Sequence, residues 1–161
     1  MGHFDDESIK DERRNYIEGD GVHYLELVSY DFFDGTKDEK TGRGYKRKIG
    51  PALNFKVVDS TLFAEGDERG KMINIAKKGE TEDKTKKARK IAQSEVASIV
   101  RGLLRSQGKD EVADALDAKA LDELVPNVDL FTSLFVGTVI RCDSKMNGEY
   151  TNCRWFGDDR E

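Results

Sequence analysis

The apolar period of this chain changes twice, and those two changes limit the folds open to it. Up to Lys77 the apolar residues come in β-branched and aromatic runs: VHYLELVSYDFF over Val22–Phe33, a second run over Ala52–Asp59 and a short third, KMINIAK, over Lys71–Lys77. In the second run Leu53, Phe55 and Val57 alternate with Asn54, Lys56 and Val58, which puts Phe55 in the core and Lys56 on the opposite face. The period then becomes helical. Ala88, Ile91, Ala92, Val96, Ile99, Val100, Leu103 and Leu104 mark one stripe, with acids ahead of it and Gly108 after it. Shorter helical patterns cover Asp110–Leu116 and Ala118–Val125, the latter stopped by Pro126. Strand-like runs return over Val136–Ser144 and Glu149–Phe156.

The last two runs flank Asn147-Gly148, a strong two-residue hairpin signal of type I′. With that turn, Cys142 is expected opposite Cys153, Ile140 opposite Trp155, Lys145 opposite Tyr150 and Arg141 opposite Arg154. One face then carries Ile140, Trp155 and both cysteines; the other carries Arg141, Arg154, Asp143, Lys145, Tyr150 and Asn152. Two arginines directly opposite repel, so an anion is expected over that face. Trp155 is expected to be buried, and the cysteines are expected as small core residues rather than a disulfide.

The order is therefore three strands, a helical insert and two strands, with no internal repeat. That is the order of a five-stranded OB-like barrel, mostly β with its helices between strands 3 and 4. Simple α+β sheets share it. The length of 161 residues suits one domain. Residues 1–20, with seven acids against three bases and little apolar pattern, are expected as a mobile acidic arm. The OB-fold domain is expected over 21–157, and residues 158–161 form a short acidic tail.

The net charge of −5 argues against a generally basic nucleic-acid binder, yet the charge is unevenly placed. The segment 34–48 has six bases against three acids, and 77–90 has seven against three. No apolar run approaches a membrane span and no signal-peptide pattern opens the chain, so a reducing, cytosolic setting is expected. His3, His23 and two cysteines make no metal-ligand spacing, no nucleophile–base motif occurs, and the TGRG glycines form no phosphate-binding loop. A non-catalytic protein without metal or cofactor is expected.

In an OB barrel the strand 2–3 face and the loops joining strands 1–2 and 4–5 grip oligonucleotides. Here the first loop offers Arg43, Tyr45, Lys46, Arg47 and Lys48; the second strand offers Lys56; the closing hairpin offers Arg141, Lys145, Tyr150 and Arg154. Cations beside aromatics suit sequence-tolerant binding of single strands, by phosphate neutralisation and base stacking. Each has a plainer reading as well: a soluble loop, an ordinary Lys145–Tyr150 cross-strand pair, a solvated helix face for Lys84, Lys86, Lys87, Arg89 and Lys90. The pattern does not say which of Tyr24, Tyr30 and Phe32 fill the core.

The layout over about residues 20–157 resembles the bacteriophage single-stranded DNA-binding proteins of OB fold, through YLELVSYDFF, LNFKVVDS, IAQSEVASIVRGLL and the closing CRWF. The resemblance implies stoichiometric coating of single-stranded DNA in phage replication or recombination, without catalysis, in the host cell cytoplasm, with replication or recombination proteins as further partners. GDDRE is shorter than the acidic tails through which many such proteins recruit enzymes, which puts recruitment by the tail in doubt. A protein–protein adaptor or virion accessory module is the competing expectation.

Overall fold

The computed structural model describes residues 16–34, 49–75 and 82–160, with side chains described from residue 89 onward in the last span. Among these residues five strands make one antiparallel sheet: β1 (Gly21–Asp34), β2 (Ile49–Ser60), β3 (Glu68–Met72), β4 (Val139–Asn147) and β5 (Tyr150–Gly157). Their spatial order is β3-β2-β1-β4-β5, so β1 is central and the sheet is open at β3 and β5. Helices α1 (Glu82–Ser106), α2 (Asp110–Asp114), α3 (Ala118–Leu124) and α4 (Val128–Phe135) fall between β3 and β4, where the helical insert is expected.

The sheet curls strongly. Phe55 on β2 and Trp155 on β5 stack with ring centroids 5.5 Å apart. Three strand spacings separate those strands, roughly 14 Å in a flat sheet. The inner face carries Leu25 and Leu27, Leu53, Phe55 and Val57, Ile140 and Cys142, all at most 2% exposed. Over it lies α1, whose Val96, Ile99, Val100, Leu103 and Leu104 form the buried part of the expected stripe, while Ile91, expected on it, is exposed. Gly102 lets this helix approach closely: a Cβ there would lie 2.8 Å from Ile140 Cδ1 and 3.1 Å from the Phe156 carbonyl. On β1 a bulge between Leu27 and Ser29 exchanges the faces. Before it the odd positions point inward; after it Tyr30 does, stacking on Phe131 of α4 at 3.7 Å and donating its hydroxyl to the Val125 carbonyl. Tyr24 therefore faces out and Tyr30 in, while Phe32 packs partly buried at the core edge.

Four expectations are corrected. The hairpin turn is Gly148-Glu149, closed by Asn147 opposite Tyr150, one residue later than expected. Gly148 has φ +66° and no described non-glycine residue has positive φ, which suits a glycine-first type II′ turn and not type I′. The two faces survive the shift, but the partners change: Cys142 faces Trp155, Arg141 faces Phe156, and Asp143 faces Arg154. An opposite-charge pair replaces the expected arginine pair. The third strand starts at Glu68 rather than Lys71, because Arg69 and Lys71 carry its inward positions, with the Arg69 guanidinium 3.9 Å above the Phe63 ring. Helix α4 lies where no element was expected, capped by the Asn127 side chain accepting from Leu130 N–H at 3.2 Å. Residues 16–20, expected within the arm, belong to the fold: Ile17 is 4% exposed and Tyr16 bridges to Gly70 beside β3. The rest of that arm, residues 1–15, lies outside the described residues.

Candidate functional site

Two surfaces carry the described candidates. The first is the outer face of the sheet. Lys56 is exposed there, as expected, but the registers place Glu26 of β1 on one side of it and Glu68 of β3 on the other. Arg141 is held more firmly. Its Nε and Nη2 donate to the Asp143 carboxylate at 2.8 and 3.1 Å, and Nη1 donates to Asp159 Oδ2 at 2.6 Å. The other Asp159 oxygen accepts from the Tyr24 hydroxyl at 2.6 Å. Asp143 and Asp159 hold the Arg141 guanidinium even more firmly protonated than usual. The Tyr24 and Arg141 hydrogen bonds in turn keep Asp159 below the ordinary carboxylate range, while Asp159 raises the Tyr24 phenol. The Arg160 guanidinium lies 4.9 Å over the Tyr24 ring and donates twice to Asp158, to which the Arg160 backbone N–H also donates. Arg154 is exposed opposite Asp143. The C-terminal carboxylates thus fold back onto this face, which is charge-balanced rather than an open phosphate track.

The second surface is at the hairpin tip. The segment 16–20 runs between the edge of β3 and the tip of β4–β5. Arg69 Nη1 donates to the Tyr16 carbonyl at 3.2 Å, Ser144 Oγ to the Gly19 carbonyl at 2.6 Å, and Met146 N–H to Asp20 Oδ1 at 2.6 Å. Beside this segment opens a cleft of about 290 Å³, lined by Tyr16, Glu18, Met72, Met146, Glu149 and Tyr150. Lys71 also reaches it, but its ammonium lies 3.3 Å from Glu95 of α1, which accepts from Trp155 Nε1 as well, at 3.0 Å. Tyr150 is 76% exposed and Met146 42%. Lys145 is exposed on the same tip, opposite Asn152.

Of the expected site residues, Lys145 and Tyr150 therefore share the tip, while Lys56, Arg141 and Arg154 are spread over the outer sheet face. Arg43, Tyr45, Lys46, Arg47 and Lys48 lie outside the described residues; their loop joins Asp34 to Ile49, which pair across β1 and β2. On α1, Arg89 and Lys90 are exposed; the side chains of Lys84, Lys86 and Lys87 lie outside the described ones. Tyr16 and Glu18 were missed because they fall in the stretch assigned to the acidic arm; the aromatic–aliphatic pair Tyr16-Ile17 was the available signal.

The hairpin's inner face is chemically quiet. Trp155 is 6% exposed, and both cysteines are free thiols, Cys142 buried and Cys153 half-buried. A hydrogen bond with Cys153, together with burial, pushes the Cys142 thiol up. His23 is fully buried between two serines, Nδ1 at 2.6 Å from Ser60 Oγ and Nε2 at 2.7 Å from Ser144 Oγ. Among the described residues no group of three or more His, Cys, Asp or Glu side chains is arranged to hold a metal ion, and no helix is long and apolar enough to cross a membrane. Comparison with protein-family models, curated proteins and solved structures finds no match to this chain.

Proposed function

We propose that the curled sheet is a partly open OB-type barrel and that the protein binds single-stranded DNA with little regard to sequence. The carrying observation is the tip cleft, where exposed Tyr16 and Tyr150 flank an opening beside the β3 edge. That cleft lies between two of the three elements with which OB barrels hold strands, the strand 2–3 region and the strand 4–5 loop. Exposed aromatics there offer π-faces to bases whatever their identity. The loop over residues 35–48 supplies the cations by sequence, and Arg141, already engaged by Asp143 and Asp159, is secondary. The layout resemblance extends this reading to non-catalytic strand coating in phage replication or recombination, alongside proteins of those processes in the host cytoplasm.

A labelled oligo-dT titration at two salt concentrations tests it. Affinity should fall by roughly 0.7 log unit per log unit of salt for each phosphate neutralised. Tyr150→Ala should weaken binding by about five-fold to a hundred-fold, since one stacked base contributes roughly 1–3 kcal/mol. Salt-insensitive binding, or tighter binding to duplex, refutes the proposal.

One observation favours the adaptor reading instead: a mostly apolar groove of about 300 Å³ between α1 and α3, lined by Ile75, Val96, Leu121, Val125 and Pro126 with Gln93 and Asp122. No binding of any oligonucleotide at low salt, together with a discrete hetero-complex, would decide for it.

A further inference from the structure

We infer that the tip cleft receives a nucleobase rather than a phosphate, and that its two carboxylates make it prefer guanine to thymine. This rests on the single-strand reading above and gives that site a base preference which its aromatics alone would not.

The charge of the lining carries the inference. Glu18 and Glu149 both border the cleft and both are exposed. Among the described lining residues the one cation, Lys71, is already engaged by Glu95 at 3.3 Å. A phosphate entering here would meet two carboxylates with no uncommitted cation among the described lining residues, and like charges repel. A base is neutral, so it escapes that penalty. It also finds what it needs in the same place: tyrosine rings to stack on and the deformable side chains of Met72 and Met146 to pack against. At about 290 Å³ the opening is at the small end of ligand clefts, suited to one base and not to a stacked run.

Carboxylates then discriminate among bases, because an ionised carboxylate only accepts hydrogen bonds. Guanine presents two adjacent donors on its Watson–Crick edge, N1–H and the N2 amine, which match the two oxygens of one carboxylate. Thymine presents a single N–H between two carbonyl oxygens, and those oxygens face the carboxylate unfavourably. Adenine and cytosine each offer one amine beside a ring-nitrogen acceptor and should fall between. Unstacked bases held on aromatic side chains are commonly read along this edge.

The test compares three labelled oligonucleotides of about 15 nucleotides: all dT, dT with one central dG, and dT with one central deoxyinosine, which lacks the N2 amine. Each is titrated at one low salt concentration against the protein and against the Glu18→Gln/Glu149→Gln variant, whose fold is checked by circular dichroism. The dG oligonucleotide should bind about ten-fold tighter than all dT, within the range that a bidentate base contact discriminates. Inosine should lose most of that gain, and the variant should bind all three alike. Equal affinity of the wild-type protein for all three overturns the inference and leaves single-strand binding standing. So does a variant that tightens on all three equally, which would mean general charge relief. Competition by an arginine-rich peptide without base discrimination would reassign the cleft to a cationic side chain. Absence of binding to every oligonucleotide removes the single-strand reading itself, and this inference with it.

Discussion

His23 gives the sharpest test of how the fold holds the cleft wall in place. Its protonation state follows from counting hydrogens. Ser144 has one hydroxyl hydrogen and donates it to the Gly19 carbonyl at 2.6 Å, so at 2.7 Å it must accept from His23 Nε2–H. Ser60 Oγ already receives the Leu62 and Phe63 N–H groups at 3.0 and 2.9 Å, so its own hydrogen goes to His23 Nδ1. The ring is therefore neutral, with its proton on Nε2. Burial lowers its affinity for a second proton; nearby Asp143 works against that shift and Arg69 with it. The ring also stacks on Phe63 at 4.7 Å.

His23→Phe keeps the ring and that stack, strands the Ser60 hydroxyl without an acceptor and deprives Ser144 of a donor. The Ser60 hydroxyl is only half-buried, so two lost hydrogen bonds at about 1 kcal/mol each put the loss at about 1–3 kcal/mol. The pH dependence has a definite sign. The imidazole titrates lower in the folded protein than at its ordinary value of 6.5, so in the window just below that value the unfolded chain binds the extra proton. Stability is full above that value and falls as pH drops toward the folded pKa. Between roughly pH 7.5 and 5.5 one such group removes at most about 1.4 kcal/mol. Urea melts of both proteins at those two pH values measure it. The difference between wild type and His23→Phe should shrink at the lower pH. A gap that stays constant, or widens, refutes the neutral-ring assignment.

Three further outcomes follow from the packing and the outer face. Gly102→Ala gains about 1 kcal/mol of helix propensity but forces α1 away from Ile140 and the Phe156 carbonyl; overpacking of about 1–3 kcal/mol should win, lowering the urea midpoint without changing the slope. Glu95→Leu should cost about 1–3 kcal/mol by leaving the buried Trp155 N–H without its acceptor, whereas Glu95→Gln keeps an acceptor oxygen and should cost less; emission of the protein's one tryptophan follows both. Asp159→Asn should let the Tyr24 phenol titrate closer to its ordinary value of about 10, visible in an ultraviolet titration as a change that a Tyr24→Phe background abolishes.

The order of elements was legible because each type of element imposes its own period on the apolar residues. The stripe from Val96 to Leu104 and the alternation Leu53, Phe55, Val57 have one reading apiece, and the fold follows both. Local irregularity was not legible. The bulge between Leu27 and Ser29 leaves no mark in residue type, yet it decides that Tyr30 and not Tyr24 fills the core. Helix α4 could have been found from its Asn127 cap and the Phe131–Phe135 spacing, but Pro126 reads as an end rather than a gap between two helices. The inward cations of β3 hid that strand's start, since Arg69 and Lys71 do with their aliphatic stems what valines do elsewhere. In the candidate site, Tyr150 was visible because hairpin tips are local. Tyr16 and Glu18 reach the cleft only through long-range pairing with β3 and β4.

The closing hairpin shows how far a register argument reaches. Faces depend on parity alone, so a turn placed one residue late still puts Trp155, Cys142 and Cys153 inside and both arginines outside. Pairings depend on the turn itself, and they change the electrostatics. In the expected register Arg141 opposes Arg154 and calls for an external anion. In the observed one Arg154 faces Asp143, and Arg141 faces Phe156, with its guanidinium 5.7 Å from that ring. The anion over Arg141 is supplied from within the chain, by Asp143 on the same strand and by Asp159 just past β5. Two carboxylates already balance the charge of this guanidinium, so a phosphate gains little attraction there. For that reason the proposed strand binding is placed on the tyrosines of the tip rather than on the arginines of the sheet. Arg141→Ala should therefore weaken oligo-dT binding less than Tyr150→Ala does, and the reverse order in the same titration would return the phosphate clamp to the sheet face.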